Sequence, residues 1–429
     1  MKNIVIVSAF ALASGGFLSA QGLYNIMPFD DEPTDSLPLN WTAGASIGWD
    51  SNASPQFSKV PGVDTDDVLY VVAFVQANFV SKTPQTTWDV WARVGATYYL
   101  DNIDQNGGAF LPSTRVETDF FPQIRGGINF VHRVNECLRL RSISHASWEQ
   151  EPDYDYGIAT DRRNGSYLRL SSDNSAGYRW TERFATNTGY RLSLVDFEVV
   201  DRQDYVSHLF YNQFRYRSSE STVLTAAYRI QFQNNDVATD STSHYFLVGA
   251  EHELSPVTVV VLRVGGQYFD PDRRNSSWSP YAEATIRTAV SETVSLRAFI
   301  RYGIEDRNRR IATHSINPPA PVVQMLGIYD ERKVLRIGTQ GSYVVSSKFT
   351  IFAGGHIILT DYDGKTAGSH PGSPGSFNES IYNLNVGASV EVRENVYVTG
   401  SYNFTLSESD SNIRDYERHR AQLGVQAAF

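Results

Sequence analysis

The sequence predicts an all-β protein, a closed antiparallel up-and-down transmembrane β-barrel of about 18 strands, within a range of about 16 to 18. Three observations predict it. Apolar and polar residues alternate with a period of two along most of the chain, connections alternate between short and long, and the strand arginines fall on one parity. Of 429 residues, 41% are hydrophobic, 13% aromatic and 20% charged, with a net charge of -10. Aromatic and β-branched residues run through the whole length, which excludes a disordered polyanion. Beyond the N-terminal region the longest uncharged apolar runs, such as Val68 to Ala77, are about half the roughly 20 residues a spanning helix needs. The single cysteine, Cys137, excludes an internal disulfide framework and a cysteine-based zinc site, and we expect it to pack at a strand start.

At the N-terminus Lys2, the apolar stretch Ile4 to Leu12 and the small-residue region ending Leu18-Ser19-Ala20 have the order of a secretory signal peptide. We expect cleavage after Ala20, a short periplasmic segment over 21–39 and a barrel over 40–429. The segment holds Asp30, Asp31, Glu32 and Asp35 with three prolines, and is too short and polar to plug a barrel.

The period of two is clearest in Trp88 to Leu100, where Trp88, Val90, Ala92, Val94, Ala96, Tyr98 and Leu100 alternate with Asp89, Trp91, Arg93, Gly95, Thr97 and Tyr99. Successive side chains of a strand point to opposite faces, so this is a two-faced strand and not a helix. Thr222 to Gln233 and Tyr382 to Val392 repeat the pattern. In order, strands are expected around Ala45, Phe74, Val94, Gly126, Ile143, Asp173, Tyr190, Tyr211, Tyr228, Val248, Arg263, Ala284, Ile300, Gly338, Gly355, Gly387, Tyr402 and Gln422. The patterns at Ser166 to Trp180 and Tyr205 to Arg217 are weaker, because Asn174 and Asn212 fall on the otherwise apolar face.

Short connections, such as Ser81 to Pro84, Thr181 to Arg183 and Arg393 to Asn395, alternate with long polar ones, such as Asp50 to Asp67, Gln150 to Arg163 and Asp306 to Asp330. A meander with tight turns at one end and long loops at the other is the build of a membrane barrel; a soluble sandwich has no reason to segregate them. The apolar face is rich in Ala, Gly, Val, Leu and Tyr, with Trp49, Trp88, Trp148, Trp180 and Phe184 near strand ends, where interfacial girdles belong. Closure also removes the exposed edges of an all-β chain.

Arg93, Arg125, Arg139, Arg141, Arg191, Arg229, Arg263, Arg287, Arg297, Arg301 and Arg336, together with Arg169 and Arg215, share the polar parity and so are expected to line the lumen. The acids on that parity are fewer: Asp89, Glu149, Asp173, Glu283, Glu305 and Glu391. A basic ring favours anions, although these arginines could equally pair with neighbouring acids and only solvate the wall. Asp64 to Asp67 and Asp153-Tyr154-Asp155 read as solvated loop acids.

The chain ends Gln422-Leu423-Gly424-Val425-Gln426-Ala427-Ala428-Phe429, with Leu423, Val425, Ala427 and Phe429 on one face. This resembles the closing strand of bacterial outer-membrane barrels, and the resemblance implies a signal for the barrel assembly machinery. The first strand leaving as Gly48 to Asn52, and repeated units of turn, apolar strand and Gly-Tyr or Tyr-Arg, look like the outer-membrane family known as beta-barrel porin 2. The resemblance implies a bacterial outer-membrane channel for passive diffusion of small hydrophilic solutes, contacting membrane lipid. A homo-trimer is one assembly it allows.

No catalytic residue, metal site or cofactor is expected. The nine histidines show no paired serine at a recognisable spacing, and G-x-S-x-G, H-E-x-x-H and P-loop patterns are lacking. The acidic balance, with no basic patch off the lumen parity, argues against nucleic acid. The alternative role is a non-conducting structural or adhesive barrel, or one associated with exopolysaccharide export, in which long loops such as Asp306 to Asp330 and Asp361 to Glu379 act as lids or attachment surfaces.

Overall fold

The computed structural model describes residues 39–53, 67–104, 117–154, 156–158, 166–198, 204–236, 239–272, 274–291, 293–305, 310–315, 322–365, 376–410 and 415–429. The expected signal peptide and all but the last residue of the segment after it lie outside these residues, as do Asp64, Asp66 and parts of most long connections. Nineteen strands follow one another: β1 (Leu39–Asp50), β2 (Val68–Lys82), β3 (Thr86–Asp104), β4 (Glu117–Arg133), β5 (Leu138–Glu149), β6 (Tyr167–Arg179), β7 (Phe184–Phe197), β8 (Tyr205–Arg217), β9 (Thr222–Asn235), β10 (Ser241–Ser255), β11 (Thr258–Pro271), β12 (Ser277–Ser291), β13 (Val294–Ile304), β14 (Arg310–Ser315), β15 (Val322–Ser346), β16 (Phe349–Lys365), β17 (Phe377–Arg393), β18 (Val396–Ser409) and β19 (Tyr416–Ala428).

Eighteen of them form one antiparallel ring. Each pairs with the next in sequence, and β1 closes on β19 in unbroken register from Thr42 opposite Ala428 to Asp50 opposite Arg420. The exception is β14, which pairs only with the first part of β15 as a hairpin beyond the wall, so that β13 bonds directly to β15. All eighteen expected strand centres fall inside ring strands.

The tight turns are built by their own side chains. Thr83 Oγ1 accepts the Thr86 amide, Thr181 Oγ1 that of Phe184 and Asn135 Oδ1 that of Leu138, each three residues on, at 3.0, 3.0 and 2.8 Å. Side-chain acceptors of this kind fold the backbone back within a few residues. Asn395 takes a positive φ of 61° in the turn from β17 to β18, a conformation asparagine tolerates better than most. Cys137 sits in the turn before β5 and is exposed, not packed; three residues reverse the chain there, so no wall covers its side chain.

The faces of the ring are inverted relative to a soluble protein. Outward residues such as Val94, Val248 and Leu423 are 58–59% exposed, while Gln76, Arg263, Gln267 and Arg336 on the other parity are buried. Water would penalise such an apolar exterior, whereas hydrocarbon would not, so the wall is one that crosses a membrane. Inside, large rings lie across glycines on the paired strand: Tyr70 over Gly48, Tyr211 over Gly189, Phe299 over Gly338 and Phe352 over Gly387, each pair directly opposite in register. A ring on a bare backbone buries aromatic area and fixes the register of both strands.

Replacing Gly48 by valine puts a side chain where the Tyr70 ring lies. A loss of about 1–3 kcal/mol of stability is expected, seen as a lower urea midpoint for the conversion from the compact to the heat-unfolded gel mobility; an unchanged midpoint would refute the joint.

Candidate functional site

The lumen is crossed by a segment rooted in the wall between β5 and β6. Its base is tied by Tyr167, whose hydroxyl donates to the Glu151 carbonyl at 2.8 Å. The chain then turns sharply: the amides of Asp153 and Ile158 donate to each other's carbonyls at 2.8 and 3.0 Å. Asp153 Oδ1 accepts the Tyr156 amide at 3.1 Å, and its other carboxylate oxygen pairs with Arg169. The Arg169 guanidinium stands 3.8 Å over the Tyr156 ring, and Ile158 packs with Tyr167, Val195, Phe197 and Tyr205 on the near wall.

The tip reaches the far wall. Tyr154 packs against Val334, Ile358 and Ile381, stacks on His356 and is hydrogen-bonded through its hydroxyl to Thr405 Oγ1 at 3.1 Å. These partners belong to β15 through β18, nearly opposite β5 and β6 in a ring of eighteen. Arg336 Nη1 donates to the Tyr154 carbonyl at 3.3 Å. Gly157 lies against the same guanidinium at a φ of 71°, so that both space and backbone conformation call for glycine there. On the third side, the Glu151 carboxylate pairs with Arg420 at 2.7 Å and Arg418 at 3.4 Å. Burial pushes the Tyr154 hydroxyl above its ordinary pKa, which keeps it protonated.

The wall arginines are organised in networks. Glu251 takes two bonds from Arg215, at 2.8 and 2.7 Å, and one from Arg263 at 3.1 Å. Arg263 also reaches Glu283 at 2.9 Å, and Glu283 accepts from Arg229 at 3.0 Å and from the Tyr281 hydroxyl at 2.7 Å. Glu305 is shared by Arg336, with two bonds of 2.7 Å, by Arg301 at 2.9 Å and by Arg332 at 3.2 Å. Arg191 pairs with Asp173, and Arg125 with Glu149. Arg93 lies 3.7 Å over the Phe74 ring. Arg139 and Arg141 lie near the short-turn end of β5, on its inward parity.

Two cavities flank the crossing segment. One is bounded by Tyr156, Ile158 and the walls from β6 to β13; the other by Glu151 to Tyr154, β4 to β6, β13 and β15 to β17, with Arg297 and Phe299 on both. Seven arginines line the first cavity against Glu283 and Glu305, and each of those glutamates already faces at least two guanidiniums. Arg169, Arg191 and Arg263 of that lining also meet Asp153, Asp173 and Glu251, and even with these carboxylates counted the arginines outnumber the acids.

Parity alone placed the expected arginines on the inner wall, and it placed Asp173, Glu283 and Glu305 there too. It missed the inward Asp50, Glu251 and Arg332, and it read Asp153 and Tyr154 as solvated loop. A loop that runs back into a lumen has no periodicity to announce it. Of the long connections expected to serve as lids, Asp306 to Asp330 is largely the hairpin of β14 with the first part of β15, a strand pair where the sequence suggested a loop, while 306–309, 316–321 and the middle of Asp361 to Glu379 lie outside the described residues.

Replacing Glu305 by glutamine leaves Arg301, Arg332 and Arg336 facing one another without the carboxylate they share. Breaking a buried pair in this way costs about 3–5 kcal/mol, which a urea titration of the refolded barrel reads directly. Replacing Gly157 by leucine forces the segment off Arg336 and is expected to enlarge the single-channel step while the folded gel mobility is kept; an unchanged step would mean the segment does not limit the opening.

No protein-family model and no curated protein matches this chain. Among solved structures, it is similar to OccAB4 of Acinetobacter baumannii, with a TM-score of 0.45 and 12% identity over 92% of this chain and 100% of that one. It is similar to the outer membrane protein OpdK of Pseudomonas aeruginosa, with a TM-score of 0.45 and 10% identity over 91% and 98% of the two chains. OccK9 (OpdG) of the same organism gives 0.46 and 10%, again over 91% and 98%. At identities of 10–12%, the properties of those proteins do not transfer to this chain.

Proposed function

We propose that this protein is a bacterial outer-membrane channel for passive diffusion of small hydrophilic solutes, with anions favoured and no catalytic role. The observation that carries the proposal is the pair of cavities beside the crossing segment, with seven arginines in the lining of the first outnumbering the carboxylates that meet them, Asp153, Asp173, Glu251, Glu283 and Glu305. An eighteen-strand ring is wide enough to hold water, and a membrane-spanning wall with a polar interior is the arrangement that lets polar solutes through. In a narrowed, low-dielectric opening, a net positive lining attracts anions and repels cations. The short-turn end, where both ends of the ring lie, faces the periplasm in this reading, and the long connections face outward.

Planar-bilayer recording of the refolded protein under a salt gradient tests the proposal. Discrete open steps with a reversal potential on the anion side are expected, and exchanging Arg287 and Arg297 together for glutamate should move that potential toward the cation side. A cation-favouring wild type would overturn the selectivity, and a folded barrel that never opens would overturn the channel and favour a structural, adhesive or export role.

We also propose that Leu423, Val425, Ala427 and Phe429 form the signal read by the barrel assembly machinery. Leu423 and Val425 are among the exposed outer-face residues, and Phe429 is 71% exposed at the end of the closing strand. Replacing Phe429 by alanine should lower the amount of assembled, heat-modifiable protein in cells while leaving detergent refolding unaffected; equal losses in both would assign Phe429 to the fold alone.

A further inference from the structure

The outer face carries one region that hydrocarbon does not explain. On β5 to β8, midway up the wall, the outward residues are Ser142 and Ser144, Ser172 and Asn174, Thr188, and Asn212. At the same depth elsewhere on the ring stand residues such as Ala226, Val264, Ala284, Ile357, Leu384 and Val425. The six polar side chains form two neighbouring groups: Ser142 is opposite Asn174 and Ser144 opposite Ser172 on β5 and β6, and Thr188 is opposite Asn212 on β7 and β8, with Thr188 diagonal to Asn174 across the β6–β7 pairing. Aromatic rings bracket them, with Tyr190 and Phe210 toward the long loops and Tyr178, Trp180, Phe184 and Phe214 toward the short turns. The patch therefore lies at the depth of the acyl chains, not at a headgroup girdle.

Hydrogen bonds tie each group together. Ser142 donates to Asn174 Oδ1 at 2.7 Å, Asn174 donates to Ser172 Oγ at 3.1 Å, Ser144 and Ser172 share a bond of 2.9 Å, and Asn212 donates to Thr188 Oγ1 at 3.1 Å. Asn174 and Thr188 are exposed to whatever surrounds the wall. Lipid tails offer neither donor nor acceptor, so polar groups at this depth are stable where another protein surface meets them.

We infer that this face packs against a second copy of the same chain. Two features single out that occupant. The patch is uncharged and made of amides and hydroxyls, which each both donate and accept, so it complements itself; a copy meets it with the same groups and no like-charge repulsion. Its area is also sufficient. Four strands about 4.8 Å apart over a hydrocarbon band about 25 Å tall offer about 480 Å² per copy. Two copies would bury about 960 Å², close to the roughly 1,000 Å² at which specific contacts begin. The small serine and threonine side chains let two walls approach closely, as they do between membrane helices.

The test uses the full chain refolded in mild detergent, with mass read by light scattering and folding by heat-modifiable mobility. An oligomeric wild type and a folded Asn174→Leu/Asn212→Leu variant with at least about tenfold more monomer at the same concentration are expected. Thr188→Cys, in a Cys137→Ser background, should cross-link copy to copy in membranes, whereas Val264→Cys, on the outer face of β11, should not. A monomeric wild type in both detergent and membranes, a double variant that keeps the wild-type mass, or cross-linking through position 264 in place of 188 would each overturn the inference. Cross-linking of Thr188→Cys only to a different protein would assign the face to that protein instead.

Discussion

Hydrocarbon has no partner for a backbone amide or carbonyl, and the rest of this structure follows from that. A strand with a free edge would leave a row of such groups unmet, so the chain must return to its own beginning. It does so at the seam of β1 and β19, where the register runs from Thr42 opposite Ala428 to Asp50 opposite Arg420. The seam is also pinned from inside: Asp50 takes two bonds from Arg418, at 3.0 and 2.6 Å, and a third contact from Arg420 at 3.1 Å. Backbone closure and lumen electrostatics thus meet in the same few residues.

Once the ring is closed, every inward side chain shares one small volume, and charges distant in sequence become neighbours. Glu305 gathers arginines from β13 and β15, and Glu251 and Glu283 link β8 to β12 through Arg215, Arg263 and Arg229. A buried charge is tolerable only when paired. The crossing segment obeys the same requirement, since Glu151, Asp153 and the carbonyl of Tyr154 each meet an arginine from the wall. Arginines that narrow the lumen by holding this segment are therefore spent on structure, while Arg287 and Arg297 line the open part. A parity count cannot separate these two uses.

The glycines have a comparable logic. Gly48, Gly189, Gly338 and Gly387 would be weak points of a strand taken singly, because they offer no side chain to pack. Across the register each receives an aromatic ring from its partner, which makes the pair a joint. Asn174 and Asn212 were legible as breaks in the apolar parity; what the structure added is that Asn174 meets Ser142 and Ser172, and Asn212 meets Thr188, on neighbouring strands of the outer wall.

The positions of the ring strands, their approximate number, the inward and outward parities and the segregation of turns from most loops were legible in the sequence alone, whereas β14 and the first part of β15 lay in a stretch that reads as a loop. Each is a local property: a period of two is visible in any window of a few residues, and the membrane enforces it by rewarding one face and penalising the other. Sequence could not decide that the acids and arginines would pair, that Tyr154 would cross the lumen to Thr405, that Cys137 would stay exposed, or that scattered serines and asparagines would meet outside. Those depend on which strands become neighbours and on what faces what across the ring. Both are set by closure and register, so they exist only once the whole chain has been folded around the lumen.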